Sequence, residues 1–509
     1  MTQVIAWFVS ALYIKVRLIS YLLFAPDERT EIYELCISVK QKFDVFMIGW
    51  EYPPHITGGL AIACRGIARS LTARGHRIDF LVPRLAAGEA DDRGVRVFGP
   101  QPVLFTDEEL SEYASQWRRF QVGETSSPYD SSGVRPGAAV AAPIDETFQS
   151  TGAVATLTRE YAAGLLRGGY GDHIYQEIHD FARLAAVLVK KKAYDVIHAH
   201  DWMTFPAALA AAHASGLPLV CHIHATEFDR SGEKVNQYIY DLERHALHAC
   251  DQVITVSNYT KQILVDRYAV PAEKITPVHN AVEFELPERL TRSGESGSGP
   301  KRAARSIPDR IVLFLGRITF QKGPDYFVRA ARQVVERLGG RGVRFVMVGA
   351  GDMYARMIEL AADLGVGKYF HYTGFLDREQ VQRVYAMSDL YVMPSVSEPF
   401  GISPLEAMVH GVPVIVSKQS GVSEVISNCI KVDFWDVDAI ADAIVNVLED
   451  GRDRTRLQKN GRAEARNITW SLAAARIEAV YERLARKPGV VGAPTKKVEI
   501  TGSGSKIRS

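Results

Sequence analysis

Short apolar runs, each followed by a turn and a stretch with helical spacing, recur along the chain and constrain its fold more than any other feature. In the first half, the run at 43–49 leads through a Pro/Gly loop to apolar residues at helical spacing from Leu60 to Leu71, and then to a second run at 76–83. Strand, glycine loop, helix and strand make a βαβ unit, in which the strands lie parallel. This half therefore predicts a doubly wound α/β sheet, with further strands at 195–198, 217–222 and 252–256 and a helix at 172–192.

The same pattern starts again in the second half of the chain. An apolar run at 311–316 leads through a glycine loop to Pro324, a residue that is tolerated in the first turn of a helix. Further runs of strand length lie at 345–349, 370–374, 390–394 and 412–417. Because ligands bind beyond the carboxyl ends of parallel strands, two such domains predict a binding cleft between them.

Composition along the chain predicts where these parts begin and end. The predicted parts are an N-terminal extension at 1–42, a Rossmann-like domain at 43–290, a linker at 291–306, a second Rossmann-like domain at 307–468, a C-terminal helix at 469–486 and a disordered tail at 487–509. Residues 123–143 are rich in Gly, Ser, Pro and Ala and lack periodicity. They predict a long surface loop within the first domain.

Overall composition excludes several classes of protein. The 509 residues are 47% hydrophobic and 23% charged, with a formal net charge of +1, which is an ordinary globular balance. A nucleic-acid partner is not expected, because such proteins carry clustered basic residues. The five cysteines lie far apart without a CxxC pair, which argues against a disulfide framework or a zinc site and favours a reducing, cytoplasmic location.

The first residues allow two interpretations. Residues 4–24 are apolar but carry Lys15 and Arg17 near the middle, so the uncharged run is shorter than the ~20 residues that a spanning helix needs. A basic segment and a cleavage site typical of a signal peptide are also missing. The segment is either an amphipathic helix at a membrane surface, which would make the protein peripheral to the membrane, or an extension ahead of the fold.

Two features are suited to binding phosphate. Gly58 and Gly59 open a predicted helix, and backbone N–H groups at a helix N-terminus without side chains form an anion site. Arg317 and Lys322 follow the strand at 311–316 and can both reach one diphosphate. Arginine would contact it as a two-pronged hydrogen-bond donor and lysine as a single point charge. A glycine pair after a strand is common, however, and two such cations can equally be a solvated surface pair.

An acidic segment lies between the last two predicted strands. Glu398 and Glu406 flank the sequence Pro-Phe-Gly-Ile-Ser-Pro-Leu across a transition from loop to helix. Their carboxylates can accept hydrogen bonds from different hydroxyls of one ligand while the intervening N–H groups meet phosphate. The alternative is that Glu398 merely caps a surface helix, but the apolar neighbours argue against a fully solvated face.

Two histidine pairs end neighbouring strands. His198 and His200 are followed by Asp201, and His222 and His224 come about twenty residues later. Alternate residues of a strand share one face, so each pair can point the same way. At the carboxyl ends of strands we favour ligand contact or catalysis; a metal site and buried structural histidines stay open. The Asp-Val-Asp at 436–438 precedes an apolar-periodic helix and is interpreted as a helix cap.

Together these motifs resemble the retaining GT-B glycosyltransferases of the family four type, and among them the bacterial and archaeal glycogen and starch synthase-like enzymes. The residues that carry the resemblance are SxxEPFGxxxLEAM at 395–408, GRxxxxKG at 316–323 and HAHDW at 198–202. It covers about residues 43–486. It implies two Rossmann-like domains facing a central cleft, the first on the acceptor side and the second holding the nucleotide sugar, with the C-terminal helix crossing back to the first.

The resemblance also implies roles for individual residues. His200, Arg317, Lys322 and Glu398 would carry catalysis, with the two cations neutralising the departing diphosphate and Glu398 holding hydroxyls of the transferred sugar. Substrate would also be contacted by eight further residues, of which Glu406 would hold the ribose: Gly58, Gly59, Asp201, His224, Phe400, Gly401, Ile402 and Glu406. Bacterial glycogen synthases of this type commonly carry lysine where this chain has Ile56, so one phosphate contact is missing.

The expected activity is therefore transfer of a sugar, glucose in the first instance, from an ADP-, UDP- or GDP-sugar to a hydroxyl such as the growing end of an α-glucan. No tightly bound metal or other cofactor is expected. The runner-up is a UDP- or GDP-sugar transferase acting on a lipid-linked, small-molecule or other saccharide acceptor, which would give residues 4–24 a purpose. A phosphorylase or epimerase of the same fold and an inactive sugar-binding module are the remaining classes.

Overall fold

A computed structural model describes residues 42–54, 58–85, 89–100, 166, 168, 170–171, 173–283 and 309–486. These ranges leave out nearly all of the predicted N-terminal extension. They also leave out the predicted linker, the predicted tail, the segment 123–143, and residues Ile56 and Thr57. From Asp44 onward, the described residues belong to one compact unit. That unit contains two sheets, each with helices packed on it.

The first sheet has eight strands in the order β3-β4-β2-β1-β5-β6-β7-β8. Neighbouring strands are parallel except β3, which pairs antiparallel with β4. The strands are β1 Asp44–Ile48, β2 Arg77–Leu81, β3 Glu89–Asp92, β4 Val95–Phe98, β5 Val196–His200, β6 Leu219–Ile223, β7 Gln252–Thr255 and β8 Ile275–Pro277. The helices described with this sheet are α1 Gly59–Ala73, α2 Ile174–Leu188, α3 Phe205–Ser215, α4 Glu227–Ser231, α5 Gln237–Ala249 and α6 Asn258–Tyr268.

The second sheet has six strands, all parallel, in the order β11-β10-β9-β12-β13-β14. The strands are β9 Arg310–Leu315, β10 Val343–Val348, β11 Phe370–Gly374, β12 Leu390–Met393, β13 Val414–Ser417 and β14 Ile430–Val432. The helices of this half are α7 Pro324–Arg337, α8 Tyr354–Asp363, α9 Arg378–Met387, α10 Ile402–Val409, α11 Val437–Glu449, α12 Gly451–Ala465 and α13 Trp470–Ala485. The prediction of two doubly wound parallel sheets is confirmed.

The central strands lie where the apolar runs of the sequence predicted them. Helices cover both faces of a parallel sheet, so its central strands are continuous apolar runs. Strand boundaries differ by a few residues: β5 continues to His200, and β6 begins at Leu219 instead of 217. The strands β3, β4, β8 and β14 were not predicted. They lie at or next to the sheet edges and have only three or four residues, and β3, with the sequence EADD, carries no apolar run.

The last helix, α13, returns to the first sheet and packs on α1. The Trp470 indole covers Gly66 so closely that a Cβ there would lie 2.3 Å from a ring carbon. Further along α13, Glu478 pairs with Arg74, and the Tyr481 hydroxyl lies 2.6 Å from His198 Nδ1. The Asp436 side chain accepts from the Ala439 N–H at the start of α11, which confirms the helix-cap interpretation. None of the described helices is both long and apolar enough to cross a membrane.

Because α13 fits against a glycine, we expect Gly66→Ala to destabilise the protein. Alanine in a helix interior gains up to ~1 kcal/mol over glycine, but a methyl group forced against the Trp470 ring costs ~1–3 kcal/mol. Urea denaturation should therefore show a lower free energy of unfolding for this variant. The control is Gly451→Ala at the start of α12, where the only described atom near the added Cβ is the far end of Arg454 at 3.9 Å. Equal or higher stability of Gly66→Ala would contradict the packing described.

Candidate active site

Each sheet has one switch point, where the chain stops adding strands on one side of the sheet and continues on the other side. In the first sheet β1 and β5 are neighbours, and in the second β9 and β12 are neighbours, although a long stretch of chain separates each pair. Loops leaving such a pair turn to opposite faces and open a crevice where ligands bind. Gly58, Arg317 and Glu398 lie in the loops after β1, β9 and β12, and His200 is the last residue of β5.

Lys322 and Glu398, 76 residues apart, form an ion pair at the second switch point, with 2.5 Å between Nζ and Oε2. The side chain of Glu398 is 7% exposed and that of Lys322 is 21% exposed. The same carboxylate oxygen accepts from the Ser395 hydroxyl at 3.2 Å. Two residues predicted to contact different parts of one ligand are thus brought together, where each offsets the charge of the other in a poorly hydrated place.

A glycine makes this approach possible. Gly323 has φ +61, and a Cβ at this position would lie 2.1 Å from the carbonyl oxygen of Pro394, at the end of β12. Only glycine tolerates both the left-handed backbone and the close contact. Lys322, in the 3₁₀ turn Phe320–Lys322, is held next to the loop after β12 for this reason. Arg317 is exposed, and its Nη2 donates to the Gln321 side chain at 3.2 Å.

Hydrogen bonds from both halves of the chain hold the loop from Glu398 into α10. The Val422 N–H donates to the Phe400 carbonyl at 2.7 Å, and the Ser257 hydroxyl donates to the Pro399 carbonyl at 2.6 Å. Phe400 is buried, and Gly401, with φ +95, precedes Ile402, the first residue of α10. Because a glycine precedes the helix, no side chain caps it there, and its first N–H groups can meet an anion.

Glu406 lies within α10 and is half-buried. Its Oε2 accepts from the Tyr385 hydroxyl at 3.1 Å. Burial raises the pKa of the Glu406 carboxyl, against the opposing effects of that hydrogen bond and of the Arg378 charge. Such a carboxylate, poorly hydrated and with accepting capacity left over, is suited to holding a hydroxyl pair.

Gly58 and Gly59 begin α1 at the first switch point, and both are exposed. Among the residues that the structure describes, a Cβ added at either glycine would meet nothing within 4 Å. The N-terminus of this 15-residue helix is therefore sterically open. An anion can approach its first N–H groups without a side chain in the way.

The four histidines form one stacked group across β5 and β6. The rings of His198 and His200 lie 4.6 Å apart, and those of His222 and His224 lie 4.4 Å apart, which confirms that each pair shares a face. His200 Nδ1 lies 3.0 Å from His224 Nε2, and His198 Nε2 lies 3.2 Å from His222 Nδ1. His198, His200 and His222 are fully buried, whereas His224 is partly exposed. His224 is therefore the member of the group that reaches solvent.

Asp201 supports this group through the backbone. It is buried, has φ +61, and its Oδ1 accepts from the N–H groups of His224 at 2.6 Å and Ala225 at 3.3 Å. Burial raises the pKa of Asp201 to about 7, against the effect of those two hydrogen bonds. In this structure Asp201 positions the loop after β6.

Contacts between the two halves include residues that sequence reasoning missed. The Ser397 hydroxyl donates to Asp229 Oδ1 at 2.5 Å and lies 3.0 Å from the Tyr259 hydroxyl. Thr226 and Asp229 form a capping box at the start of α4, and the sequence Thr-x-x-Asp is the signal that could have found it. Ser397 carried no such signal, because its partners come from the other half of the chain.

Glu424 makes a second contact between the halves. Its carboxylate accepts from the N–H groups of Asn258 at 3.0 Å and Tyr259 at 2.7 Å, at the start of α6, and lies 2.7 Å from His279 Nε2. Burial alone would raise the pKa of Glu424, but the hydrogen bonds from His279, Asn258 and Tyr259 bring it down to about 2. A carboxylate of the second half thus caps a helix of the first.

The buried histidines make folding stability sensitive to acid. Burial lowers the pKa of His198 and of His224 to about 3, and those of His200 and His222 well below the usual value. Below about pH 6.5 the unfolded chain binds protons that the folded chain excludes, so stability falls by ~1.4 kcal/mol per pH unit for each histidine. Burial raises the pKa of Asp201 and of Glu243 to about 7, and these two protons offset part of the loss.

Burial also lowers the pKa of His179 to about 4. We therefore expect the free energy of unfolding to fall between pH 7.5 and 5, because the protons that these five histidines exclude outweigh the two carboxyl protons. His224→Asn should reduce the steepness by about one proton, or ~1.4 kcal/mol per pH unit. Urea denaturation at a series of pH values measures both slopes. His371→Asn, at an exposed histidine of β11, is the matched control and should keep the wild-type slope. A slope that does not change in His224→Asn would contradict the buried arrangement.

Comparison with known families gives two matches that divide the chain. Residues 159–286 match the family described as Glycosyltransferase Family 4, and residues 300–464 match Glycosyl transferases group 1. The first match takes in the histidine group, and the second takes in the segment from Arg317 to Glu406. The two matches thus contain most of the predicted site.

Curated relatives cover most of the chain. An uncharacterized glycosyltransferase of Methanocaldococcus jannaschii is 29% identical over 456 residues, which is 86% of this chain and 97% of the relative. A glycogen synthase of Mycobacterium tuberculosis is 25% identical over 457 residues, 87% of this chain and 95% of that protein.

Solved structures share the fold at lower identity. Sucrose-phosphate synthase from Thermosynechococcus elongatus matches with a TM-score of 0.61 and 18% identity, covering 87% of this chain and 99% of that one. The catalytic domain of starch synthase IV from Arabidopsis thaliana, bound to ADP and acarbose, matches with a TM-score of 0.59 and 15% identity, covering 88% and 100%.

Proposed function

We propose a function on the premise that the chain belongs to the GT-B glycosyltransferases, whose two family domains it carries. In this proposal it transfers a sugar, glucose in the first instance, from a nucleotide sugar to a hydroxyl acceptor with retention of configuration at the anomeric carbon. The acceptor is the growing end of an α-glucan. The observation that carries the proposal is the Lys322–Glu398 pair at the switch point between β9 and β12, with Arg317 beside it in sequence.

Charge placement explains how such a site would work. In the donor complex Glu398 accepts hydrogen bonds from hydroxyls of the sugar, and the ammonium of Lys322 lies between that carboxylate and the diphosphate. Arg317, exposed and only lightly engaged by Gln321, is free to turn to the same diphosphate as a two-pronged donor. Glu406 would hold the ribose hydroxyls.

The proposed reaction proceeds on one face of the sugar. The bond between the anomeric carbon and the phosphate oxygen breaks first. The acceptor oxygen then bonds to the anomeric carbon on the same side, while the departing phosphate oxygen takes the proton of the acceptor hydroxyl. Arg317, Lys322 and the open N-terminus of α1 stabilise negative charge as it grows on the diphosphate. Because the chain's own cations supply this charge, the proposed reaction requires no tightly bound metal. His200 and His224 would lie beside the anomeric centre.

The choice of glucose and of an α-glucan is supported by two relatives. One is the mycobacterial protein named glycogen synthase, which aligns over nearly its whole length. The other is the starch synthase IV domain bound to ADP and the oligosaccharide-like acarbose. Transfer from a UDP- or GDP-sugar to another acceptor would use the same cations and glutamates, so the donor has to be measured.

Removing either cation tests the catalytic roles. We expect Arg317→Ala and Lys322→Ala each to lower kcat by about 10² or more, as for loss of ~3 kcal/mol of transition-state stabilisation. Release of nucleoside diphosphate in the presence of an α-glucan measures this. Lys418→Ala, which removes an exposed lysine paired with Asp433, should keep normal turnover. Turnover close to wild type in both test variants, with melting temperatures also unchanged, would overturn the proposed roles.

The donor is tested by binding. We expect one class among ADP-, UDP- and GDP-sugars to raise the melting temperature selectively, because a ligand bound only by the folded state stabilises it by RT ln(1 + [L]/Kd). Glu406→Gln should weaken that shift, since a neutral amide holds ribose hydroxyls less well than a carboxylate. Equal shifts with all three classes, or none with any, would count against a nucleotide-sugar cleft.

A further inference from the structure

The histidine group and the neighbouring Cys64 provide two overlapping sets of three ligand atoms. One set is Cys64, His200 and His224, and the other is His198, His200 and His222; within each set the ligand atoms lie within 4.8 Å of one another. Because His200 belongs to both sets, the two sets cannot each hold an ion at the same time. The proposed transfer reaction uses neither set as a metal centre.

We propose that Cys64, His200 and His224 form a Zn²⁺ site with one coordination position open toward the cleft. One thiolate and two imidazoles are ligands that zinc prefers, and three protein ligands leave a fourth tetrahedral position for water or another donor. The three residues come from α1, from the end of β5 and from the loop directly after β6. Such placement on separate, packed elements holds the ligands in position before an ion arrives.

The hydrogen-bond state of the two imidazoles supports this choice. His200 and His224 share one hydrogen bond through Nδ1 and Nε2. The other nitrogen of each ring, Nε2 of His200 and Nδ1 of His224, is buried and has no hydrogen-bond partner among the described residues. Buried polar atoms without partners are costly. In the shared hydrogen bond one ring donates and the other accepts, so one of these two outer nitrogens carries a proton and the other has a free lone pair. An ion bound by both outer nitrogens would therefore break the hydrogen bond between the two rings.

The all-histidine set is the weaker candidate. Both nitrogens of His198 are already engaged, Nδ1 by the Tyr481 hydroxyl at 2.6 Å and Nε2 by His222 at 3.2 Å. Its three members are also fully buried. His224, in contrast, is partly exposed and offers a way in.

Geometry and charge fit an ion after a small adjustment. Zn–N bonds of about 2.0 Å and a Zn–S bond of about 2.3 Å place tetrahedral ligand atoms about 3.5 Å apart, so the side chains must move inward by about 1 Å. On binding, the Cys64 thiol gives its proton to solvent and the thiolate bonds to zinc. Burial, and then the negative charges of Asp201 and Glu51, raise the pKa of the Cys64 thiol well above its usual value, so the ion itself must displace this proton. Asp201 also accepts from the His224 backbone N–H, as outer partners of metal ligands do.

A bound ion would have a consequence for activity that rests on the proposed function. His200 and His224 cannot contact a sugar and ligate zinc at the same time. Zinc would therefore inhibit transfer instead of supporting it. The site itself is tested without any assay of transfer, so failure of one proposal is distinguishable from failure of the other.

The test uses Co²⁺ as a spectroscopic substitute for Zn²⁺ on the full chain, freed of metal by a chelator and kept reduced. We expect one equivalent of Co²⁺ to produce both the visible bands of a tetrahedral ion and a near-ultraviolet thiolate-to-cobalt charge-transfer band. One equivalent of Zn²⁺ should abolish both. Visible bands without the charge-transfer band would overturn the proposal, since they would place the ion among histidines alone. Absence of both would overturn it as well.

Variants locate the ligands. Cys64→Ser should remove the charge-transfer band, and His224→Asn, at a partly exposed position, should weaken Co²⁺ binding about tenfold or more. Cys250→Ser changes another buried thiol and should leave spectrum and affinity as in wild type. Thermal melts of all variants verify folding. A charge-transfer band that persists in Cys64→Ser, or unchanged affinity in His224→Asn, would overturn the assignment.

Discussion

The parallel arrangement of strands in both sheets is the constraint on which the rest of the structure depends. When neighbouring strands run the same way, all their carboxyl ends lie at one edge, and the loops that leave them are gathered there. The order of strands then selects two places, between β1 and β5 and between β9 and β12, where adjacent loops diverge. Every residue with a proposed chemical role ends or follows one of these strands or the strand next to it.

The two carboxylates at this edge, Glu398 and Glu406, are held in poorly hydrated places, and each has a partner that makes this tolerable. Glu398 is paired with Lys322, and Glu406 accepts from Tyr385. A buried charge without a partner would be strongly destabilising. The same pairing leaves the site polarised before a ligand arrives, so that binding exchanges one set of charge contacts for another instead of creating them in water.

The two halves are joined by specific polar contacts as well as by the returning helix α13. Glu424 caps α6, and Ser397 donates to Asp229, so the loop that carries Glu398 is fastened to the first half at two points. At the far end, Trp470 and Glu478 fasten α13 to α1. A separation of the two halves near Glu398 would break the first set of contacts and could leave the second set intact. The contacts near Glu398 therefore link the arrangement of the two halves to the position of a residue proposed to hold the sugar.

Sequence by itself determined the class of fold, the central strands and the list of residues in the candidate site, because apolar periodicity and glycine-rich turns are local properties of the chain. It also predicted that each histidine pair shares a face, since that follows from the two-residue period of a strand. Only the tertiary structure decided that Lys322 pairs with Glu398, that the edge strands β3, β4, β8 and β14 exist, that His200 is fully buried, and that Cys64 lies beside it. Those facts depend on which distant segments become neighbours, and strand order and helix packing, instead of any local signal, settle that.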